Sequence, residues 1–423
     1  MSISQQLSPS RRRVTSVAAL SLAALLIGAA GQAQAQTATL DKSITVTGQG
    51  STFVSNFVEQ CKADANKAIG INISYQPTGS GAGRTAYING TNDFAGSDVP
   101  FSASEAGKAK PFVYIPVAIG GVAVIYKVPG VTNLQMSAGT IAKIFSGQVV
   151  KWNDGAIKGE NPSANLPDKV IKVIVRSDSS GTSNVFSDYL SQAGRGTWPK
   201  GVTSQFPVPA GNGIAQKGSD GVSNYVAGDQ GDYAITYSET SFAEERKLDV
   251  VKVINQAGKA VLPTPGAVGD AMDAAIVNND GTLTLNFNAP AATAYPISTT
   301  AYLIAQQSMD KAKGDILRTF LTYALTGCQS RVVSLGYAPI PTSIQALGLA
   351  AVAKINPGSA AVPVITPPGA PATTAPATTT APVTTAAPVT TVPPTTKASA
   401  PTTTKKPTVK PTVKKKTTTT KKK

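Results

Sequence analysis

Three times in this chain a strand-like run stops at a turn built of Gly, Ser and Thr and hands over to a helical pattern. The turns are GQGSTF at Gly48–Phe53, TGSGAGR at Thr78–Arg84 and RSDSSGTS at Arg176–Ser183. Ser43 to Thr47 alternates as a half-buried strand does. After the first turn, Phe53, Phe57, Cys61, Ala65 and Ala68 recur at helical spacing. Asn72 to Gln76 is strand-like again, and a short helix runs from the second turn to about Asn89. Asp93 to Ser97 reads as a strand ending at Asp98. Tyr114 to Tyr126 is a long apolar run, too rich in Val and Ile for an ordinary helix. Ala138 to Phe145 looks helical, Val170 to Val175 reads as a buried strand with Arg176 at its end, and Phe186 to Gln192 is helical. Strands that alternate with helices specify α/β architecture.

Each turn places backbone N–H groups and hydroxyls at a helix N-terminus, where unpaired donors and a positive partial charge favour an anion. Taken singly, such a turn is an ordinary N-cap. Three in one chain, one of them carrying an arginine, point to an oxyanion site.

Other chemistries are poorly served. The chain of 423 residues has no histidine and only two cysteines. That excludes Ser-His-Asp and Cys-His catalysis, His-ligated metals and cysteine-only metal clusters. TGSGAG lacks the spacing of a hydrolase nucleophile elbow. There is no P-loop and no convincing dinucleotide fingerprint. No catalytic residue, metal ligand or cofactor is assigned.

The two ends stand apart from the globular part. Arg11–Arg13 precede an uncharged apolar run from Val17 to Ala30, and Ala33-Gln34-Ala35 fits a cleavage site. Residues 1–35 are read as a secretory signal peptide. Ser10-Arg11-Arg12 leaves the route open between general secretory and twin-arginine export. With no cysteine at the cleavage site, lipid anchoring there is not expected. Residues 357–423 contain neither an aromatic nor an acidic residue and end in a Lys/Thr/Pro run. They are read as a disordered tail. The net charge of +15 is concentrated at these ends, which hold three Arg and ten Lys without an acid; the middle keeps 25 basic and 23 acidic residues. A nearly neutral body gives no reason to expect nucleic-acid binding.

Several segments, in order, resemble the phosphate-binding proteins of ABC-type phosphate importers. They are GQGSTF, GSGAGR at Gly79–Arg84, DFAGSDVP at Asp93–Pro100, IPVAIGGVAVIYKVPG at Ile115–Gly130 and IFSGQVVKWND at Ile144–Asp154. RSDSSGTS, GDYAITY at Gly231–Tyr237, AYPIS at Ala294–Ser298 and LGYAPIP at Leu335–Pro341 follow. The resemblance spans roughly Ile44 to Leu347. It implies a two-lobed periplasmic-binding-protein fold of type II, with two hinge crossings near Pro116–Ala123 and Tyr295–Tyr302. Lobe 1 would comprise residues 40–118 and 298–356, and lobe 2 residues 119–297.

The same resemblance implies the ligand set. Thr52, Phe53 and Ser80 would offer hydroxyls and amides from one lobe. Arg176 would supply the fixed cation, and Ser180, Gly181 and Thr182 would close the site from the other lobe. Asp98 would accept a hydrogen bond from a protonated phosphate oxygen and repel fully ionised sulfate. Asp178 would orient Arg176. Outside the resemblance, Asp98 and Asp178 read as plain turn residues. Arg84 departs from many family members, where this stretch is uncharged. It reads as a solvated helix-surface charge, with a second anion contact as the alternative.

Trp152 is read as packing with a hydrogen bond. Cys61 falls on the apolar face of the first helix, and Cys328 closes a helix from about Lys313 to Gly327. They are a candidate disulfide, the alternative being two buried thiols. The implied partners are inorganic phosphate and an ABC-type permease. The Lys-rich tail would add retention in an anionic cell wall, a bare spacer or O-glycosylation being the alternatives. An exported monomer in the periplasm or at the cell wall is expected. The rival readings are the same fold holding sulfate or molybdate, and a surface adhesin.

Overall fold

The structure is a computed structural model, and it describes residues 37–366. The expected signal peptide and most of the expected tail lie outside these residues. In chain order the first elements are β1 (Thr45–Gly50), α1 (Ser55–Ile69), β2 (Asn72–Pro77), α2 (Ser80–Ile88), β3 (Phe94–Ser97), α3 (Ala103–Ala106) and β4 (Phe112–Lys127). The middle of the chain adds β5 (Gln135–Ser137), α4 (Ala138–Phe145), α5 (Gly155–Glu160), β6 (Lys172–Arg176), α6 (Gly181–Ala193), β7 (Gly213–Gln216), α7 (Gly218–Ala227), β8 (Ala234–Glu239) and α8 (Thr240–Glu245). Short pieces follow: β9 (Asp249–Val250), β10 (Lys252–Ile254), β11 (Ala260–Val261), α9 (Pro265–Met272), β12 (Ile276–Val277) and β13 (Leu283–Thr284). The chain returns through β14 (Ser298–Gln306), α10 (Lys311–Leu325) and α11 (Thr342–Val352).

One sheet organises these elements, in the order β2-β1-β3-β14-β4-β8-β6-β7, with β9 also on β4. The pairs β1–β2, β1–β3, β6–β7 and β6–β8 are parallel, and helices supply the crossovers that parallel pairing needs. β14 and β4 run antiparallel to their neighbours and join the two parallel groups. β4 changes partner midway: Phe112 to Gly121 pair with β14, and Val122 to Lys127 pair with β8. Its 16 residues are buried throughout except at the two ends, which accounts for an apolar run without alternation. The segments expected to cross between lobes, Pro116–Ala123 and Tyr295–Tyr302, overlap the β4–β14 pairing, which carries a register shift between Ala301 and Tyr302.

The sequence expectations for the main elements hold to within a few residues. α1 buries Phe57, Val58, Cys61 and Ala65 on one face and ends at Gly70 in the left-handed conformation. Trp152 is fully buried, and its indole N–H donates to the Tyr233 carbonyl at 3.0 Å. The fold continues past Asn356 into the segment read as tail. Ala38 N–H donates to the Ala361 carbonyl at 2.8 Å, Arg318 donates to the Ala360 carbonyl, and Ile365 is buried. Ile365 is the reason: composition averaged over the tail hides one apolar side chain with a place in the core.

Cys61 and Cys328 are disulfide-bonded. The bond ties α1 to the turn after α10 across 267 residues of sequence. Closing so long a loop removes much unfolded-chain entropy, and loss of such a bond costs about 2–5 kcal/mol. Replacing both cysteines by serine should therefore lower the midpoint of thermal unfolding by several degrees, as read by calorimetry with and without reductant. An unchanged midpoint would leave the bond without a stabilising role.

Candidate functional site

Four turns, each between a strand and a helix, converge on Asp98 and Arg176. Asp98 follows β3 and is almost wholly buried. Ser51, at the end of β1, donates its hydroxyl to Asp98 Oδ1. Ser80, the first residue of α2, donates to Asp98 Oδ2 at 3.4 Å, and its Oγ accepts from the Asp98 N–H at 3.3 Å. Thr182, in the first turn of α6, donates to Asp98 Oδ2 at 3.1 Å. Burial pushes the Asp98 carboxyl above the ordinary carboxylate range; the Ser51 and Thr182 hydroxyls and the Arg176 and Arg84 charges pull the other way.

Arg176 ends β6 and is 2% exposed. Its Nε and Nη2 donate to the two oxygens of Asp178 at 2.8 and 2.6 Å, a fork that fixes the guanidinium plane. Burial alone would raise the Asp178 carboxyl, but the Arg176 bonds and charge hold it below its usual value. Asp178 Oδ1 also accepts from the Gly218 N–H at 2.9 Å, so the same carboxylate seats the start of α7. Arg176 Nη1 donates to Ser219 Oγ at 3.3 Å. A guanidinium has five N–H donors. Two remain for an anion once these three are assigned.

The turns from the two ends of the sheet touch. Thr52 Oγ1 lies 2.9 Å from Ser219 Oγ and accepts from the Ser219 N–H at 3.1 Å. The Gly81 N–H donates to the Ser179 carbonyl at 2.9 Å. Glycine permits this approach: a Cβ on Gly181 would sit 2.5 Å from Ser80 Oγ and 2.8 Å from the Asp98 side chain, and one on Gly81 would sit 2.2 Å from Ser179 Oγ. Ser180 caps α6 by accepting from the Ser183 N–H, and the Phe53 N–H donates to Ser51 Oγ at 3.0 Å. Beneath the third turn, Ser183 Oγ lies 2.7 Å from the Tyr237 hydroxyl, and Tyr237 stacks on Phe186.

Every residue assigned to the ligand set from the sequence is thus brought together: Thr52, Phe53, Ser80, Asp98, Arg176, Ser180, Gly181 and Thr182, with Asp178 behind Arg176. A buried cation with spare donors, hydroxyls, helix N-termini and the Asp98 carboxylate are groups able to hold a small oxyanion.

The known proteins similar to this chain carry matching descriptions. Residues 29–327 match the model of the PBP superfamily domain. The phosphate-binding protein PstS2 of Mycobacterium bovis is 35% identical over 322 residues, covering 73% of this chain and 86% of its own length. The chain belongs to the phosphate-binding protein family of that superfamily. The phosphate-binding protein PstS of Xylella fastidiosa is 33% identical over 311 residues, covering 72% of this chain and 83% of its own. Among solved structures, a high-affinity periplasmic phosphate-binding protein bound with phosphate superposes with a TM-score of 0.59 at 24% identity, over 72% of this chain and 92% of its own. A phosphate-binding protein from Stenotrophomonas maltophilia gives a TM-score of 0.57 at 20% identity, over 73% and 93%. These likenesses show the α/β periplasmic-binding-protein fold. The family is one of substrate-binding transport proteins and not of enzymes.

For a member of this family, Arg84 corrects the surface reading. It is 6% exposed, paired with Glu105 at 3.1 Å and bonded to Ser97 Oγ at 2.9 Å. The carboxylate of Glu105 and the adjacent strand end draw it inward, where it stands one residue behind Asp98. Two site residues were not singled out from sequence. Ser51 was passed over inside its own motif. Ser219 ends a fourth strand–turn–helix junction, Gln216-Lys217-Gly218-Ser219, whose signal is the Gly-Ser step that the first two turns also carry.

Gly181→Ala should hold the turns apart, because the added methyl meets Ser80 and Asp98. Overpacking of this kind costs about 1–3 kcal/mol. Titration with an oxyanion should show binding about tenfold weaker or worse in protein that still unfolds cooperatively. Unchanged binding would mean that the turns need not approach this closely.

Proposed function

We propose that this chain is an exported binding protein that captures inorganic phosphate between Asp98 and Arg176 and delivers it to an ABC-type permease. The observation that carries the reading is Asp98. A carboxylate buried among hydroxyl donors, within reach of an arginine's field, is unfavourable for a fully ionised anion, because low local dielectric strengthens repulsion as well as attraction. Phosphate near neutral pH retains a proton that a carboxylate oxygen can accept; sulfate does not. On binding, the Ser51, Ser80 and Thr182 hydroxyls that now face Asp98 would turn to the anion, and Arg176 would spend its two remaining donors on it. The reading is of a carrier and not a catalyst: the residues around the anion hold it and none is placed to attack it.

In this account residues 40–118 and 298–356 form one lobe and 119–297 the other, and they part about β4 and β14 to admit the ligand. The Thr52–Ser219, Thr182–Asp98 and Gly81–Ser179 contacts support a closed state, since each joins the two lobes. The protein is read as a monomer outside the cytoplasm, in the periplasm or at the cell wall, with its ten tail lysines holding it to anionic wall polymer. Chain ending at Thr366 should elute from cell-wall preparations at lower salt than the full chain, with phosphate binding unaltered. Elution at one salt concentration for both would leave the tail a spacer.

Calorimetric titration tests the site itself. Wild-type protein should bind phosphate and not sulfate. Asp98→Asn removes the charge at nearly constant volume; it should weaken phosphate only moderately and let sulfate bind measurably. Arg176→Ala should cost about 2–5 kcal/mol of phosphate binding, the loss expected when one partner of a buried charge pair is removed. An unchanged phosphate-to-sulfate preference in Asp98→Asn would reduce Asp98 to a turn residue.

A further inference from the structure

Arg84 stands beside the anion site and grips the turn on which the choice of anion rests. It lies four positions after Ser80, so the two share a face of α2. Ser80 holds Asp98 directly, through the carboxylate and the backbone N–H. Arg84 holds the residue before it: Nη1 donates to Ser97 Oγ at 2.9 Å. Ser97 ends β3 and is fully buried. Its hydroxyl donates to the Val99 carbonyl at 2.6 Å and accepts from the Val99 N–H at 3.3 Å. Ser97 and Val99 are thereby bracketed together, with Asp98 between them.

A serine hydroxyl has one proton and two lone pairs. In Ser97 the Val99 carbonyl takes the proton, and Arg84 and the Val99 N–H take the lone pairs, so the hydroxyl has one orientation. Arg84 is held in turn by Glu105, whose Oε1 accepts from Nε at 3.1 Å. The other oxygen of Glu105 accepts from the N–H and hydroxyl of Ser102 at 2.8 and 2.9 Å and closes the cap of α3. Helix α2, the end of β3 and the start of α3 are thus tied together around Asp98. Charge points the same way. Arg84 and Asp98 line one cavity of about 470 Å³, together with the carboxylates of Glu105 and Asp188. Among the described residues that line it, Arg84 is the one cation. Its charge adds to that of Arg176 in opposing the rise that burial imposes on the Asp98 carboxyl.

We propose that Arg84 is a positioning residue for anion selectivity: acting through Ser97, it fixes the turn that carries Asp98 and so holds that carboxylate against the bound anion. The proposal rests on the phosphate-binding reading and deepens it. Arg84 acts from behind the carboxylate and not as a ligand. With the bracket intact, Asp98 can neither swing away from a fully ionised anion nor lose the cation on its cavity side. With the bracket broken, it can turn aside, and the repulsion that excludes sulfate is relieved.

Two variants of the full mature chain test it, each titrated with phosphate and with sulfate. Arg84→Met keeps a long side chain and removes its donors and charge. It should bind phosphate about tenfold more weakly than wild type and bring sulfate into the measurable range. Damage to packing alone would weaken phosphate without admitting sulfate, so the two titrations separate positioning from structure. Ser97→Ala breaks the bracket and leaves the Arg84–Glu105 pair in place; it should move both anions in the same directions. Continued exclusion of sulfate by folded Arg84→Met, or wild-type behaviour in Ser97→Ala, would overturn the proposal. If wild type itself bound no phosphate, the functional reading would fall. The Val99 amide would still judge the bracket: its exchange with solvent should be faster in Arg84→Met than in wild type, and equal rates would count against it.

Discussion

The pairing of β4 with β14 and then β8 is the constraint on which the rest of the molecule depends. A single strand of 16 residues, with β14 beside it, links two parallel groups of the main sheet. Because it is covered on both faces, it can carry no side chain that wants water, and nearly all of it is Val, Ile, Ala, Tyr or Gly. Each parallel group then presents the ends of its strands, and the helix starts that follow them, toward the same space. Those are the positions where ligands gather in open α/β sheets. The site arises from the sheet order before any single ligand residue is considered.

Within that space the charges are arranged in a chain of dependence. Asp178 holds Arg176 flat and seats α7 by one further bond. Arg176 reaches Ser219 at the start of that helix, and Ser219 meets Thr52 on the other side. Asp98 collects hydroxyls from both sides. Among the described residues, each charged group at the centre has a partner, which is the condition for burying charge at all.

Much of this was legible in the sequence because it depends on local pattern. A Gly/Ser/Thr step between a β-branched run and a helix marks the turns, and ordered motifs identify the family. What was hidden depends on distant contacts. Arg84 looked solvated because its partner Glu105 lies 21 positions away on another element. Ser219 stands in a polar stretch with no apolar pattern before it, and it becomes a site residue only when α7 is laid beside β1. Ile365 sits in a segment whose composition says tail, yet it is buried.

The Cys61–Cys328 bond bears on the order in which the chain can be completed. The group β8-β6-β7 and its helices come from one continuous stretch, whereas the group β2-β1-β3 must wait for β14, α10 and α11 from the far end. A polypeptide that emerges N-terminus first can therefore finish its middle before its beginning. Cys61 stays a lone thiol until 267 further residues have appeared. A chain with only two cysteines admits one internal pairing, so this long wait exposes it to no wrong partner of its own and asks nothing of a disulfide isomerase.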